Sequence, residues 1–222
     1  MNDVSNKHTP PAELRALDML RRAYDKRGYV FFEDRKYDLN IGAIRNDTNV
    51  PNRFDDSFFV AFIDERSTWR VAMWSCTTDP GLYFLGSGKM GNRSGTAVLI
   101  PGQYRRCWKI GVHGKKKYPA LVQNGKPFNV WRDHNRDGSI NRSGNIYTDV
   151  TGLNCHKAYS WNEGKVIGEN TVVSNWSAGC QVAEVSYAHD YILMPLARKQ
   201  EQKGFGNSFT YTLFDAEEFR GM

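Results

Sequence analysis

The chain has 222 residues, of which 40% are hydrophobic and 13% are aromatic. This length and composition exclude an intrinsically disordered chain and are typical of one well-packed globular domain. The net charge of +6 favours acidic partners such as nucleic acids, anionic membranes or anionic cell-wall polymers. Because no common nucleic-acid-binding motif is present, we exclude nucleic acid as the partner and interpret the basic runs at 103–109 and 114–118 as solvated surface.

The four cysteines, Cys76, Cys107, Cys155 and Cys180, indicate reduced thiols. They lack the spacing of a metal site and are too few for a disulfide scaffold in a chain of this length. The first residues, MNDVSNKHTPP, lack the apolar region of a secretory signal, and no apolar run approaches the roughly 20 residues that span a bilayer. We therefore expect a monomer made in a cytoplasm without a signal peptide and without a membrane span.

A helix is predicted over residues 9–28. Thr9, two prolines and Glu13 form a good helix start, leucines then recur at helical spacing, and Gly28 ends the pattern. The next segments, 28–34, 57–65, 68–78 and 96–102, are rich in β-branched and aromatic residues and predict strands. Residues 78–82 (TDPGL) predict a tight turn, and residues 86–95 (GSGKMGNRSG) predict an exposed loop.

Strand patterns continue over residues 108–114, 118–133 and 145–158. Within them, QNGK predicts a hairpin, because Asn-Gly tolerates the positive φ of a type I′ turn. Residues 182–204 predict a helix directly after Cys180, kinked at Pro195, and residues 207–215 predict a last strand. We expect a single domain over 1–222, mainly β and α+β by count, with the N-terminal helix joined to a β-rich core over 29–222.

The segment 150–182 contains the residues of a cysteine-dependent site. On a strand, Asn154 and His156 point to one face and Cys155 to the other. Cys180 supplies a thiol and His156 a base, while Gly179 allows a tight bend that brings its N–H toward a substrate oxygen. A helix that begins after Cys180 would favour the thiolate through its positive end.

A histidine on a strand, followed by Ser177-Ala178-Gly179-Cys180, resembles the catalytic domain of the L,D-transpeptidases, the YkuD-type fold. That family carries a histidine and then, after a loop, Ser/Thr-His-Gly-Cys. The resemblance implies a β-sandwich or mixed sheet, no cofactor, and a cysteine thioester formed on peptidoglycan stem peptides. Residues 77–85 and 101–111 are also similar to those of short, signal-less proteins encoded by phages.

The chain departs from the family pattern on both sides of Gly179. Ala178 stands where the family has a histidine, and Gln181 and Val182 follow the cysteine where the family has an apolar residue and then Asn or Arg. These departures favour hydrolysis over crosslinking. We therefore predict an endolysin-like peptidoglycan hydrolase, an L,D-carboxypeptidase or endopeptidase, released from the host cytoplasm to act at the cell wall. The alternatives are a crosslinking L,D-transpeptidase and a non-catalytic wall-binding or phage structural protein on the same fold.

The supporting residues have more than one interpretation. Ser177 either helps the site through its hydroxyl or caps the following helix. Trp176 either packs in the core or forms a substrate platform, and Asn154 and Gln181 are further candidates for substrate binding. Either Asp149 or a backbone carbonyl orients His156. No partner could be assigned to His113, His134 or His189.

Two groups of residues partly match metal sites. Asp133, Asn135 and Asp137 match the first half of a calcium loop, but Gly144 stands where the bidentate glutamate belongs, so an Asx-rich turn is the preferred interpretation. Zinc bound by Cys155, His156 and Cys180 is disfavoured, because adjacent strand residues point to opposite faces. We therefore expect no metal cofactor.

Overall fold

The computed structural model describes residues 8–86, 94–149, 152–159, 161–162, 165–166 and 172–221. The predicted exposed loop at 86–95 lies largely outside these residues. Within them the protein is mainly β with three α-helices, which confirms the predicted class. The helices are α1 (Pro11–Arg27), α2 (Leu82–Gly86) and α3 (Met194–Gln200). The strands are β1 (Asn40–Arg45), β2 (Asp56–Ile63), β3 (Trp69–Thr77), β4 (Thr96–Leu99), β5 (Gly102–His113), β6 (Tyr118–Gln123), β7 (Phe128–Asp133), β8 (Tyr147–Asp149), β9 (Cys155–Tyr159), β10 (Trp161–Asn162), β11 (Lys165–Val166), β12 (Gln181–Val185) and β13 (Phe209–Asp215).

Eight strands form a closed, barrel-like sheet in the order β1-β13-β5-β6-β9-β12-β3-β2. Most neighbours are antiparallel, but β1 with β13 and β9 with β12 are parallel, so the sheet is mixed. Strands β4, β7 and β8 form a separate three-stranded sheet, and β10 pairs with β11. The order places β9, which carries His156, between β6, which begins at Tyr118, and β12, which begins directly after Cys180. Strand β5, which ends at His113, lies on the other side of β6.

Strand β2 is apolar on both faces because each face meets a different core. Phe58 and Val60 belong to the cluster inside the barrel, together with Trp108 and Tyr211. The alternate residues, Phe59, Ala61 and Ile63, pack outward against Leu17, Leu20 and Tyr24 of α1. Helix α1 ends as predicted at Gly28, whose φ of 64° suits a glycine. No helix in the described part of the chain is long and apolar enough to cross a membrane.

Two predicted local structures are wrong. Residues 28–34 form no strand, because the Phe32 N–H donates to Oδ1 of Asn40 (2.8 Å) and the Val30 N–H to Oε1 of Gln103 (3.0 Å), so side chains take the place of a partner strand. The QNGK segment is not a hairpin, since β6 pairs with β5 and β9 whereas β7 pairs with β4 and β8. The Asn124 N–H donates to the Cys107 carbonyl (2.6 Å), and the chain passes from one sheet to the other.

The helix predicted directly after Cys180 is also displaced. Strand β12 occupies 181–185, and the helical segment follows with wide turns over Ala188–Leu193 and Glu201–Phe205 on either side of α3. Pro195 lies where the wide turns of Ala188–Leu193 pass into α3, and the Met194 N–H donates back to the His189 carbonyl. The helical segment therefore does not begin directly after Cys180, as was predicted.

Candidate active site

The parallel pair β9–β12 places the predicted base and thiol on one face. Gln181 pairs with Cys155 and Val182 pairs with His156, while the Gln181 N–H donates to the Asn154 carbonyl (2.9 Å). Cys180 thus lies beside Asn154, two residues along the strand from His156. At 3.3 Å per residue and 4.8 Å between strands, this corresponds to about 8 Å between the Cα atoms of Cys180 and His156. Cys155 points into the barrel core, so the predicted alternation of faces is confirmed.

The turn before Cys180 is held by the buried Ser177 hydroxyl. It donates to the Cys180 carbonyl (2.8 Å) and accepts the Gly179 N–H (3.1 Å). Ser177 therefore shapes the turn and does not cap a helix. The prediction that Gly179 offers its N–H to substrate is wrong, because Ser177 already binds that N–H. No backbone hydrogen bond from the Cys180 N–H is found among the described residues, so this N–H is more available to a ligand than that of Gly179.

Gly179 is required for the shape of this turn. Its φ is +116°, a conformation that residues with a Cβ rarely adopt, and a Cβ would overlap the Ala97 carbonyl. Three hydrogen bonds, which no sequence pattern indicated, connect the preceding loop to Asn52 and to the turn at 78–82. Oδ1 of Asn52 accepts the Ser174 N–H (2.5 Å) and the Leu82 N–H (3.2 Å), and the Gly81 N–H donates to the Ser177 carbonyl (2.8 Å). The predicted turn at 78–82 therefore supports the cysteine loop.

The Cys180 thiol is half-buried in a largely apolar setting. Its Sγ accepts the Asn154 N–H (3.5 Å) and lies 3.8 Å from the Gly152 carbonyl, while Val173 and Val182 lie in the apolar cluster that it packs against. Burial raises the pKa of this thiol to about 11, and the Asn154 N–H opposes the shift. The resting thiol is therefore protonated at neutral pH.

His156 is buried, with 2% of its surface exposed, and a backbone carbonyl orients it. Its Nδ1 lies 3.0 Å from the Lys157 carbonyl and 3.3 Å from the Tyr118 hydroxyl. A carbonyl only accepts, so the neutral ring carries its proton on Nδ1 and leaves Nε2 as a base. Asp149 ends β8 in the three-stranded sheet. Of the two predicted orienting groups, the structure provides the carbonyl.

Burial, followed by repulsion from His113, lowers the pKa of His156 to about 3. With the pKa of the Cys180 thiol at about 11, the neutral thiol and neutral imidazole are the stable resting forms. The thiolate that a helix end was expected to favour is absent from this resting state. For Cys180 to act as a nucleophile, its thiol would have to lose its proton during the reaction.

A second imidazole and a cationic rim lie next to His156, and no sequence motif indicated either of them. The ring of His113 stacks on that of His156, with 4.0 Å between centroids and 15° between planes. Both rings line a cleft of about 350 Å³. The cleft is also lined by Gly114, Lys115, Lys116, Tyr118, Lys157, Ala158, Asn175 and Trp176. The basic run at 114–118, predicted to be merely solvated, thus edges the cleft. Cys180 does not line the cleft; it contacts Asn154, whose side chain in turn contacts His113.

Lys157, which lines the cleft, also forms an ion pair. Asp190, at the start of the helical segment after β12, pairs with the Lys157 ammonium and with Nδ1 of His189. The Lys157 ammonium lies 5.0 Å from the centroid of the Tyr118 ring. Burial lowers the pKa of His189, as it does that of His113. The chain brings these side chains together because β12 pairs with β9 and leads into the helical segment that carries Asp190. The spacing of the residues in the sequence therefore does not predict these contacts.

The three residues predicted to bind substrate have different positions. Trp176 is 38% exposed and lines the cleft, which favours the substrate platform over core packing. Asn154 uses its side chain within the protein, because Oδ1 accepts the Gln123 N–H (2.9 Å) and Nδ2 lies 3.0 Å from His113. The prediction for Gln181 is wrong, since it is buried and bonds to the Tyr211 hydroxyl (2.6 Å) inside the barrel.

The calcium-like segment forms an Asx turn. One carboxylate oxygen of Asp137 accepts the Ser139 N–H (2.8 Å), and the other accepts from the Asn135 amide (2.9 Å). Asp133 is buried at the end of β7, and burial raises its pKa. Across the described ranges, no three His, Cys, Asp or Glu side chains are grouped as metal ligands, and Cys155 and His156 point to opposite faces as expected.

We therefore expect a metal chelator to leave the melting temperature unchanged. A bound cation that is specific to the folded state would stabilise it, and its removal would lower the melting temperature. Differential scanning calorimetry with added calcium and with excess chelator makes this comparison. A reversible loss of several degrees in chelator would show that Asp133, Asn135 and Asp137 hold a cation after all.

Cys180 should be the thiol that reacts in the folded protein, with a rate that rises steeply with pH. Since the pKa of this thiol is about 11, its thiolate fraction grows about tenfold per pH unit up to pH 10. Iodoacetamide labelling followed by peptide mapping measures this rate. Cys76, Cys107 and Cys155 are at most 1% exposed and should react only after unfolding. A plateau in the Cys180 rate below pH 7 would instead reveal a preformed thiolate.

No protein-family model matches the chain, and no curated protein or solved structure is significantly similar to it. The resemblance to the L,D-transpeptidase catalytic domain therefore depends on residues 150–182 alone.

Proposed function

We propose that this protein is a cysteine-dependent hydrolase of peptidoglycan stem peptides. The observation that carries the proposal is that Cys180, directly before β12, and His156, on the adjacent parallel strand β9, face the same side of the sheet, and that His156 lines a cleft with a cationic rim. Such a site supplies a nucleophile, a base and a surface that attracts peptide carboxylates. The resemblance of residues 150–182 to the L,D-transpeptidase domain agrees with this chemistry, and the transpeptidase-type fold is part of the proposal.

The reaction proceeds through a thioester. As Sγ of Cys180 attacks the carbonyl carbon of the scissile amide, its proton moves to Nε2 of His156, and the Cys180 N–H binds the developing oxyanion. The C–N bond then breaks, and the amine leaves with the proton from His156. Water attacks the thioester, which restores the thiol and releases a carboxylate. The residues need no metal or organic cofactor for these steps.

Hydrolysis is favoured over crosslinking by the departures from the family pattern. Gln181 is buried inside the barrel and cannot bind an acceptor peptide, and Ala178 offers no side-chain donor to an acceptor amine. An endolysin-like role, with release from a host cytoplasm to the cell wall, is the physiological setting that we propose for this activity.

One observation favours a non-catalytic function. Burial keeps both Cys180 and His156 neutral, with pKa values of about 11 and about 3, so the resting site lacks an activated nucleophile. A wall-binding protein would use the same cleft, with Trp176 and the cationic rim contacting the polymer. Binding to purified peptidoglycan without any change in its fragments would support this second function.

Incubation with purified muropeptides in ¹⁸O-labelled water separates these functions. We expect a severed stem peptide whose new carboxylate carries one labelled oxygen, because water resolves the thioester. Mass spectrometry of the fragments makes the measurement, with the Cys180→Ala variant as the matched control. Larger, unlabelled joined fragments would establish the transpeptidase instead, and unchanged fragments would leave the binding function.

A further inference from the structure

We infer that His113 is a second functional imidazole of this site, whose Nε2–H donates a hydrogen bond to an oxygen atom of the bound peptide. His156 is the base, and His113 is the donor. The role of His113 rests on the proposed function, whereas the arrangement of the two rings can be tested without any activity. No motif in the sequence pointed to His113, which lies on β5, 43 residues before His156.

Asn154 fixes the protonation of His113. The Gln123 backbone N–H can only donate, so the Asn154 atom that accepts it at 2.9 Å is the carbonyl oxygen Oδ1. The amide nitrogen Nδ2 therefore faces Nδ1 of His113, at 3.0 Å. Because an amide nitrogen donates, Nδ1 of His113 accepts, and the proton of the neutral ring lies on Nε2.

His156 has the opposite arrangement. Its Nδ1 faces the Lys157 carbonyl at 3.0 Å and must donate, so its proton lies on Nδ1 and its Nε2 has a free lone pair. The two stacked rings thus offer complementary groups, with an acceptor on His156 and a donor on His113. Two neutral imidazoles in one tautomer would duplicate a single function, whereas this pair supplies both halves of an acid–base site.

The position of His113 indicates what its Nε2–H binds. The ring lines the cleft together with Lys115 and Lys116, which follow His113 after Gly114 in the loop between β5 and β6. A neutral N–H donor beside two ammonium groups suits an acceptor oxygen that carries full or partial negative charge. The carboxylate and carbonyl oxygens of a stem peptide are acceptors of this kind.

A purely structural role for His113 predicts different behaviour. If the ring only stacks on His156, any aromatic side chain of similar size replaces it without loss. His113→Phe keeps the aromatic face and removes both ring nitrogens. Asn154→Asp keeps the size of the side chain but presents a carboxylate oxygen to Nδ1 of His113, which draws the proton from Nε2 to Nδ1.

The tautomers can be read directly from ¹⁵N-histidine-labelled protein. Long-range ¹H–¹⁵N spectra distinguish a protonated from an unprotonated ring nitrogen, and His113→Phe identifies the His113 signals among those of the five histidines. We expect Nε2–H on His113 and Nδ1–H on His156 in the unaltered protein, and Nδ1–H on His113 in Asn154→Asp. A proton on Nδ1 of His113 in the unaltered protein would overturn the inference even in an active hydrolase.

Turnover of a synthetic stem tetrapeptide tests the role of the donor. We expect His113→Phe and Asn154→Asp to lower kcat/KM by about 10- to 100-fold, the usual cost of one lost hydrogen bond to a charged group. Cys180 alkylation by iodoacetamide in His113→Phe should stay within about threefold of normal, because the donor contacts substrate and not the thiol. His134→Phe, at an exposed position, should behave normally.

Normal kcat/KM in His113→Phe would overturn the donor role and leave the proposed hydrolase intact. If the unaltered protein turns over no wall peptide, the proposed function fails and the donor role fails with it. The labelled spectra would then still decide the arrangement of the two rings. The failure of the inference and the failure of the proposed function are therefore distinguishable.

Discussion

Replacement of Cys180 by alanine should abolish peptide hydrolysis, with a loss of roughly 10⁴-fold or more in kcat. The change removes the only atom that can form the thioester and leaves the other groups of the site in place. Sγ is half-buried and makes only weak bonds to Asn154 and Gly152, so the fold should persist. Fragment analysis by mass spectrometry measures the activity, and circular dichroism checks the fold.

Cys155→Ala is the matched control for this change. Cys155 lies next to His156 in sequence but points into the barrel core, where burial raises its pKa. We expect this variant to lose some stability through the cavity that it leaves and to retain its activity. Unchanged turnover by Cys180→Ala, or a complete loss in stably folded Cys155→Ala, would refute the assignment of the nucleophile.

Replacement of His156 by glutamine should lower kcat/KM by about 10² to 10⁴, the usual contribution of a general base. Glutamine retains much of the volume of the buried ring and can still donate to the Lys157 carbonyl, but it cannot accept the thiol proton. Steady-state kinetics on a stem tetrapeptide measures the effect. His134→Gln, at an exposed position, is the control. A loss below threefold in His156→Gln would exclude a general-base role.

The pH dependence provides a second test of His156. Because its pKa is lowered to about 3, the base stays neutral well below the ordinary histidine value of 6.5, and the acid limb of kcat/KM should lie far below pH 6.5. The lowered pKa of His156 also makes the free energy of unfolding depend on pH. The unfolded chain binds a proton near pH 6.5 that the folded protein resists, so His156 costs stability as the pH falls from 6.5 toward 3.

His156→Gln should therefore lose less stability than the unaltered protein over that interval, as measured by denaturant unfolding at several pH values. Burial also lowers the pKa values of His113 and His189, so both residues likewise reduce stability as the pH falls. The pKa of Asp56 is raised to about 6, so Asp56 has the opposite effect on stability. The comparison between the two proteins isolates the His156 contribution. Equal acid sensitivity would show that His156 titrates normally in the folded state.

The local pattern of the sequence predicted the features that depend on strand period and glycine chemistry. Alternation placed His156 on the face opposite Cys155, and Gly179 proved necessary for a turn with positive φ. The helix over 9–28 followed from its apolar spacing and Gly28. These features need only neighbouring residues, so one sequence is sufficient to predict them.

The remaining features depend on pairings between distant segments. His113 reaches His156 only because β6 joins β5 to β9 in the closed sheet. Residues 28–34 have strand composition, yet the side chains of Asn40 and Gln103 satisfy their backbone. The expectation for Gly179 failed because Ser177, three residues before the cysteine, takes its N–H. Strand order and side-chain competition for backbone groups cannot be deduced from local propensity.

Detection of a covalent thioester on Cys180 tests the central claim most directly. The protein is mixed with a synthetic stem tetrapeptide, quenched with acid within milliseconds to seconds, and analysed by intact mass and peptide mapping. We predict an adduct with the mass of the acyl portion of the substrate, located on Cys180 and absent from Cys180→Ala. Product formation by Cys180→Ala, or an adduct on any other residue of the active protein, would contradict the proposed mechanism.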